Sequence, residues 1–242
     1  MNKGLQKIYT EIPKRYELIN HLITFGADIH CRKKAVDFAV KDCATMESGG
    51  AAKSDGVTWV DICSGTGETV VKLNKKADKN TTVIAADFSL PMLNIARQKP
   101  ETKNIKFVLT DAANLPFADN SIDLLTITFA TRNLNTTREI LVNTFAEFQR
   151  VLKPTGRFIN LETSQPPNSL FRKLMHLFVG LSVKRIGAAL SGCKAGYAYL
   201  SHSIPRFYTA DELSKILIEA GFSKVTYKRI YFGFMAIHKA EI

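Results

Sequence analysis

The stretch VTWVDICSGTG, residues 57–67, is an apolar run with one acid that ends in two closely spaced glycines. Residues 57–63 have the composition of a buried strand, and residues 68–77 have that of a helix. Glycines at a strand-to-helix turn let the backbone approach a ligand closely, and the helix amino terminus presents free N–H groups. The stretch therefore predicts either a plain structural turn or a ligand-binding loop.

The spacing of these glycines argues against a dinucleotide pyrophosphate site. That fingerprint has a third glycine at its sixth position, whereas in this chain Gly65 and Gly67 are followed by Val70. Glu68 would also face a pyrophosphate with like charge. The loop is therefore better suited to a cationic ligand.

The alternation of strand and helix continues along the chain. Further apolar strands are predicted at residues 81–87, 105–110, 122–130 and 156–162, and helices at residues 90–98, 138–152 and 210–220. Such strands are typical of a parallel sheet that is covered on both faces. Two more strand-like runs, residues 223–230 and 232–239, are separated by almost nothing and should pair antiparallel. The pattern predicts an α/β protein with a seven-stranded open sheet, mostly parallel, with an antiparallel C-terminal strand.

Helical segments precede and interrupt this sheet, and we expect one domain that contains all 242 residues. Residues 1–45 contain two N-terminal helices, and Asp28 is predicted to be the N-cap of the second. Residues 57–165 and 207–242 form the sheet. Residues 166–206 are predicted to be an inserted helical cap.

The net charge of +11 is concentrated in one part of the chain. Residues 151–242 carry 13 basic and 5 acidic groups, which leaves +8, and no acid lies between Glu162 and Asp211. Such a patch indicates an anionic partner: lipid headgroups, nucleic acid or a phosphorylated substrate. The basic groups within it are Arg172, Lys173, Lys184, Arg185, Lys194 and Arg206.

The cysteine pattern and the apolar runs exclude several other classes of protein. The four cysteines have no C-x-x-C pair and no histidine at metal-ligand spacing, so we expect reduced thiols and no metal site. No apolar run reaches the ~18 residues of a membrane span, and we see no signal-peptide pattern. A cytoplasmic protein is the expectation.

Acidic residues lie near the carboxyl ends of three successive strands. Asp61 lies in the first, Asp87 ends the second, and Asp111 with Ala112 follows the third. The carboxyl ends of parallel strands lie at one edge of a sheet, where ligands of such folds bind. At that edge Asp87 can accept hydrogen bonds from two ribose hydroxyls, and Asp111 and Ala112 would lie beside an adenine edge. Taken alone, Asp111 could equally be a residue that stabilises a turn.

On these residues the sequence resembles the class I S-adenosylmethionine-dependent methyltransferases, which have a Rossmann-like fold. Within that class it is similar to the ubiquinone/menaquinone biosynthesis C-methyltransferase family over nearly the whole chain. The similarity includes residues 15–36, 115–134 and 147–166. Its most specific stretches are FATRN, residues 129–133, and YAYLSHSIPRF, residues 197–207.

The resemblance implies a cofactor site at the carboxyl ends of the first four strands. The implied contacts are Gly65, Thr66 and Gly67 for the methionine part of S-adenosylmethionine, Asp61 for the loop or the ammonium group, Asp87 for the ribose, Asp111 and Ala112 for the adenine, and Thr128 for the floor. Thr128 could equally be an ordinary buried strand threonine, so its contact stays open.

The resemblance also places Arg132 above the methyl donor. Methylation of an aromatic ring carbon needs electron density from a ring hydroxyl, best as a phenolate. A phenol with a pKa near ~10 is mostly neutral at pH 7, and a nearby guanidinium can lower that pKa by ~1–3 units. Arg132 is therefore the expected phenolate stabiliser, with Tyr16 and Asn133 as hydrogen-bond partners. Tyr16 could instead be a core residue of its helix.

The implied function is ring C-methylation of a polyprenylated hydroquinone precursor in ubiquinone or menaquinone biosynthesis. The basic, apolar cap over residues 166–206 would suit peripheral contact with an anionic membrane, although its apolar residues could simply pack on the sheet. A homodimer stays open, and no nucleic acid partner is expected. Two alternatives remain: a methyltransferase for RNA or another small molecule, and a non-catalytic scaffold that binds lipid or cofactor.

Overall fold

The computed structural model describes residues 16–41, 56–183 and 194–242, without the side chains of Tyr16, Ser182 and residues 194–197. Of the residues singled out in the sequence, Lys184 and Arg185 lie outside this description. The side chains of Tyr16 and Lys194 also lie outside it.

Seven strands in the described part of the chain form one sheet. They are β1 Val57–Ile62, β2 Thr81–Asp87, β3 Lys106–Leu109, β4 Ile122–Thr128, β5 Leu152–Thr163, β6 Lys224–Ile230 and β7 Met235–Glu241. Their order across the sheet is β3-β2-β1-β4-β5-β7-β6. Strands β1 to β5 pair with one another in parallel, whereas β7 is antiparallel to both β5 and β6. The predicted fold class is confirmed.

Helices precede the sheet, connect its strands and interrupt it before its last strand pair. They are α1 Tyr16–Thr24, α2 Ala27–Val40, α3 Glu68–Asn74, α4 Leu90–Arg97, α5 Thr131–Leu134, α6 Arg138–Val151, α7 Ser169–Phe178, α8 Lys194–Ser203 and α9 Ala210–Glu219. The π-helical segment Val179–Val183 follows α7 directly. Helix α9 begins with the capping box that the sequence indicates, between Thr209 and Glu212.

Both faces of the sheet are covered, as the apolar strands predict. On one face, α6 and α9 pack against the sheet around Phe158, whose ring contacts those of Phe145, Phe148 and Phe222. On the other face, α2 and α3 pack against β1, β2 and β4. The topology changes direction at β1, because β2 and β4 lie on its opposite sides. Ligands of open α/β sheets bind at this kind of position.

A third, smaller cluster joins the N-terminal helices to the inserted segment. Ile19 and Ile23 of α1 pack against Val179 and Val183, which follow α7. These two parts of the chain therefore lie together beside the carboxyl edge of the sheet. No helix in the described ranges is long and apolar enough to cross a membrane.

Three strands end earlier than the sequence pattern predicts: β1, β4 and, by one residue, β3. β1 ends at Ile62 because Cys63 has a φ of +53°, and β4 ends at Thr128 because Phe129 has a φ of +57°. Apolar side chains alone could not reveal these breaks, since Cys63 and Phe129 look like strand residues. Positive φ values are uncommon for such residues and occur where the chain turns sharply at a site.

The prediction that Asp28 is the N-cap of α2 is wrong. The N-cap is Gly26, with a φ of +75°, and Asp28 is the second residue of the helix. Its carboxylate instead accepts a hydrogen bond from the hydroxyl of Thr24 and lies against the ring of His21. Both partners belong to α1, so Asp28 holds the two helices together.

Candidate active site

The loop between β1 and α3 depends on its two glycines. Gly65 and Gly67 have φ values of +56° and +90°, which side chains rarely adopt. A Cβ added to Gly67 would lie 3.1 Å from the Cβ of Ala96 on α4, whereas a Cβ on Gly65 would enter open space. Gly67 thus permits close packing of α3 against α4. Gly65 leaves room for a ligand next to the backbone.

Asp87 connects this loop to the next strand end. Its Oδ2 accepts the N–H of Gly65 at 2.8 Å, and its Oδ1 accepts the N–H of Ser89 at 2.8 Å. Burial raises the pKa of the Asp87 carboxyl, and the backbone N–H groups oppose that rise. Each carboxylate oxygen keeps acceptor capacity after these bonds. Asp87 therefore shapes the loop and can still accept ligand hydroxyls.

Asp61 lies deeper than the other two acids. The hydroxyl of Thr126 donates to its Oδ1 at 2.6 Å, and the carboxyl also accepts a backbone hydrogen bond from Val70 of α3. Burial raises its pKa to about 7. Asp61 does not line the cleft, so its position suits holding the loop rather than touching a ligand.

Asp111 and Ala112 line a small cavity that continues the cleft along the strand ends. Cys63, Asp87 and Leu134 line both spaces, which therefore adjoin. The carboxylate of Asp111 accepts the N–H of the residue two positions on, as in an Asx turn. The structure thus brings the predicted ribose and adenine contacts to adjacent walls.

Thr128 forms part of a buried polar cluster at the end of β4. Its hydroxyl lies 2.7 Å from that of Thr69 on α3, and the guanidinium of Arg32 donates to both. The same guanidinium lies 5.0 Å from the ring centroid of Phe129. Arg32 and Phe129 line both the cleft and a second cavity. Sequence reasoning missed Arg32, because nothing in the α2 sequence shows which of its basic residues turns inward.

The second cavity, of about 710 Å³, is mostly apolar. It lies between α1, α2, the inserted helices and the turn before β7. Its aromatic lining comes from Phe25, Phe129, Phe171, Phe178, Tyr231, Phe232 and Phe234. A largely apolar cavity with few polar groups is typical of a site for an apolar small molecule.

Arg132 and Asn133 follow β4 in the short helix α5, but they face different spaces. Asn133 lines the polar cleft, whereas Arg132 lines the apolar cavity. The structure pairs Arg132 with Glu162 of β5: Nη1 lies 2.8 Å from Oε1, and the backbone N–H of Arg132 donates to Oε2. Arg132 is 6% exposed and Glu162 is 1% exposed. Sequence reasoning missed Glu162, since 30 residues separate it from its partner.

Further contacts fix the orientation of the Arg132 side chain. Nη1 donates to the hydroxyl of Thr163, and Nε donates to the hydroxyl of Ser203 in α8. Within the described part of the chain, Nη2 has no hydrogen-bond partner. That nitrogen is available to a ligand in the apolar cavity.

A cluster of His21, Asp28 and Glu68 has a spacing that could hold a metal ion, since its ligand atoms lie within 4.8 Å of one another. The cysteine and histidine pattern of the sequence predicts no metal site. In the structure these groups bond to one another, with His21 between the two carboxylates, and Nε of Arg32 lies 3.5 Å from Glu68. The carboxylates thus have protein partners.

Comparison with known proteins identifies the family. The model of the ubiE/COQ5 methyltransferase family matches residues 1–241. The chain belongs to this family. The demethylmenaquinone methyltransferase of Thermus thermophilus is 34% identical over 97% of this chain and 99% of its own. The ubiquinone/menaquinone biosynthesis C-methyltransferase UbiE of Rickettsia felis is 34% identical over 98% of this chain and 91% of its own.

The fold is also that of solved methyltransferases. A SAM-dependent methyltransferase from Aquifex aeolicus, 19% identical, aligns with a TM-score of 0.53 over 82% of this chain and 87% of its own. The enzyme class and cofactor predicted from the sequence, a methyltransferase that uses S-adenosylmethionine, agree with this family and this fold.

Asp87→Ala should weaken binding of S-adenosylmethionine to the methyltransferase by at least about tenfold. The substitution removes an acceptor for ligand hydroxyls, and hydrogen bonds to charged groups contribute ~1.5–3 kcal/mol each. Titration calorimetry measures the affinity, with Asp37→Ala as the control, because Asp37 is ion-paired on the surface and lines neither cavity. Unchanged affinity in Asp87→Ala, or measurable binding of NAD by the native enzyme, would contradict this site.

Asp61→Asn should stabilise the cofactor-free methyltransferase more at about pH 8 than at about pH 5.5. Because the folded-state pKa of Asp61 is about 7, above its ordinary value, the unfolded chain ionises first. The stability that this carboxyl contributes is therefore present at low pH and is lost as the pH rises through about 7. Thermal melts of variant and native protein at both pH values give the difference in Tm. An equal difference at both would show that Asp61 does not titrate in this range.

Proposed function

We propose that this methyltransferase transfers the methyl group of S-adenosylmethionine to a ring carbon of a polyprenylated hydroquinone. The observation that carries this proposal is the meeting of two unlike cavities. The cleft at the ends of β1 and β2, whose wall includes Ser64, Thr66 and Asp87, suits the cofactor, and the apolar cavity of about 710 Å³ suits a prenylated ring. They share Arg32 and Phe129 in their walls, so a methyl donor in one can face an acceptor in the other.

The residues of the cleft fit S-adenosylmethionine. The open space beside Gly65 admits a ligand against the backbone, and the hydroxyl of Ser64 is buried with no hydrogen-bond partner among the described residues. When bound, the cofactor supplies a methyl group on a positively charged sulfur. The residues that would hold it are Gly65, Thr66 and Gly67 at the methionine part, Asp87 at the ribose, Asp111 and Ala112 at the adenine, Thr128 at the floor, and Asp61 behind the loop.

The apolar cavity favours a lipid-like acceptor over RNA. A nucleic acid would bring phosphates, which need cationic and polar partners, whereas this lining is mostly aromatic and aliphatic. The scaffold alternative has no observation in its favour, because each acid of the cofactor site is present and placed at the cleft or behind its loop. The names of the two relatives, for demethylmenaquinone and ubiquinone/menaquinone methylation, support the quinone class.

Arg132 would bind the ring oxygen through its unpartnered Nη2 edge and so orient the ring carbon toward the methyl group. Its charge is opposed by Glu162, only 2.8 Å away, so the pair lowers the pKa of a substrate hydroxyl less than a lone guanidinium would. Glu162 serves here as a positioning residue that fixes the guanidinium. Asn133, on the cleft side, and Tyr16 are the other proposed hydrogen-bonding groups. Alignment of reacting atoms supplies much of the remaining rate enhancement.

We also propose that the whole chain acts as one domain, with residues 166–206 as a cap that touches an anionic membrane. Leu170, Leu174 and Leu177 of α7 lie at helical spacing and are each more than half exposed. The ring of Phe171 packs on that of Phe232, which is 83% exposed. Both aromatics line the apolar cavity, so a prenyl tail in it would lead toward this surface.

Purified enzyme should methylate a short-chain demethylmenaquinol or demethylubiquinol when S-adenosylmethionine is supplied. Mass spectrometry of the extracted quinones identifies the product and shows which ring, naphthoquinol or benzoquinol, is accepted. Quinones extracted from cells with and without the gene give the same comparison in vivo. If the enzyme methylates RNA but no quinol, RNA methylation is its function instead.

Arg132→Met should lower turnover by about 10²–10³-fold, the scale for loss of one preorganised contact to developing charge. Cofactor affinity should change little, because the guanidinium faces the apolar cavity. Arg132→Lys should keep more activity than the methionine variant, since it retains the charge but loses the planar fork. A pH–rate profile on one quinol checks this, and higher pH should restore part of the loss by ionising the ring hydroxyl.

Glu162→Gln completes this series as a test of positioning. It keeps the shape but weakens the charged contacts that orient the Arg132 guanidinium, so turnover should fall through misplacement of that group while KM for the cofactor stays near native. If the native enzyme and the three variants have the same pH–rate profile, Arg132 takes no part in activation of the substrate ring.

The enzyme should bind vesicles of phosphatidylglycerol and phosphatidylcholine better than vesicles of phosphatidylcholine alone, and added salt should weaken that binding. Replacing Arg172 and Lys173 with Gln should cost about 1 kcal/mol per charge, and Leu174→Ser should weaken binding further. Leu109→Ser is the control, because Leu109 is equally exposed but lies on β3. Vesicle sedimentation measures the bound fraction. Equal binding by all proteins would refute the surface, and RNA binding lost in the same variants would favour RNA as its ligand.

A further inference from the structure

Ring methylation releases one proton, and the residues that activate the ring do not account for it. The ring carbon gains a methyl group, the sulfur keeps the electron pair of the broken S–CH₃ bond, and the ring must lose H⁺ to remain a hydroquinone. Arg132 is always protonated and accepts no proton. This question rests on the proposed function and concerns the same site.

Among the described residues that line the apolar cavity, Asp28 is the only carboxylate. It is 3% exposed, so bulk water does not reach it freely. It lies one helical turn before Arg32, whose guanidinium belongs to the walls of both cavities. Asp28 therefore lies in the wall of the apolar cavity, one helical turn from a residue that the two cavities share.

The contacts of Asp28 hold its carboxylate in one orientation. Oδ1 accepts the hydroxyl of Thr24 at 2.7 Å, and Oδ2 lies 2.8 Å from Nδ1 of His21. Each oxygen keeps further acceptor capacity, which a ligand hydroxyl in the cavity can use. A base held in place by a second group in this way is the usual arrangement for proton transfer.

His21 extends this arrangement away from the cavity. Its Nε2 lies 3.2 Å from Oε1 of Glu68, at the amino terminus of α3, and its ring is partly exposed. Asp28, His21 and Glu68 thus form a connected line of proton-binding groups. The line begins in the wall of the apolar cavity and reaches a side chain that solvent can touch.

We propose that Asp28 accepts the hydroxyl proton of the substrate and that His21 conducts it away from the cavity. As the proton moves to the carboxylate, the electron pair of the O–H bond enters the ring, and the ring carbon forms its bond to the methyl group. The ketone tautomer then becomes a hydroquinone when the proton on the methylated carbon moves to the ring oxygen. One proton is left on the protein and leaves through His21.

Other groups near the cavity are less suited to this role. Both oxygens of Glu162 are engaged, by Arg132 and Thr163, and Glu162 does not line the cavity. His30 lines the cavity but is exposed, with its ring against that of Tyr231 at the rim. A proton on His30 would already be in contact with solvent.

The decisive experiment compares Asp28→Asn with Glu17→Gln on a short-chain quinol that the native enzyme methylates. Glu17 is the matched control, because its ion pair with Lys99 also tethers α1 to the rest of the fold, yet it lines neither cavity. Asp28→Asn should lower turnover by about 10²–10³-fold, as expected for loss of a general base. Its melting temperature, its KM for the quinol and its calorimetric affinity for S-adenosylhomocysteine should stay close to those of Glu17→Gln.

Two further readouts separate proton transfer from a structural role. Sodium formate should raise the turnover of Asp28→Ala by about tenfold or more, because a free carboxylate can occupy the vacated space, and it should not rescue Arg132→Met. The turnover of Asp28→Asn should rise more steeply with pH than that of the native enzyme. Both proteins retain the other charged and titratable groups that face Asp28. These groups are His21 on α1, Cys31 and Arg32 on α2, and Glu68 and Lys72 on α3.

The outcomes are distinct. If Asp28→Asn keeps turnover within about threefold of native, or if it loses cofactor affinity and turnover together while formate does not rescue Asp28→Ala, Asp28 is a tether and the proposal is wrong. If His30→Gln alone loses turnover, with its cofactor affinity unchanged, the proton leaves at the rim instead and the proposal is wrong. If the native enzyme methylates no quinol, the proposed function fails, and this inference fails with it.

Discussion

Charged side chains buried at the carboxyl edge of the sheet must each find a partner, and this constraint organises the site. An unpaired charge away from water is very unfavourable, so each buried charge brings another part of the chain to it. Asp87 holds the glycine loop through the N–H of Gly65, and Arg132 joins α5 to β5 through Glu162. Arg32 brings α2 to the ends of β4 and α3 in the same way.

These pairings place two cavities of opposite character side by side. The cleft has polar and acidic residues in its wall, among them Ser64, Glu68 and Asp87, whereas the second cavity is bounded mostly by aromatic and aliphatic side chains from α1, α2 and the inserted helices. Because Arg32 and Phe129 belong to both walls, the contents of the two cavities meet there. We propose that a charged methyl donor in the cleft and a lipid-like acceptor in the apolar cavity react at that contact.

Much of the sheet and of the cofactor side was predictable from local patterns. The apolar strands, the missing third glycine after Gly67 and the acid at the end of β2 are all short-range features, and parallel strands bring their carboxyl ends to one edge whatever the details. The ends of β1 and β4 were less predictable. They depend on the positive φ values of Cys63 and Phe129, and neither residue type indicates such a conformation.

Local sequence patterns were enough to indicate the family resemblance, a mostly parallel sheet with an antiparallel end and the row of acids at its edge, because periodicity and motif spacing involve neighbouring residues. The roles of the remaining charges follow from contacts between distant parts of the chain. Arg132 pairs with Glu162, which lies 30 residues away in the sequence. Asp28, expected to be a helix cap, instead lies beside His21 in the wall of the apolar cavity. The physical reason is that partners for buried charges are chosen by the packing of α1, α2 and the inserted helices over the sheet edge. That packing is a long-range property which no local pattern specifies.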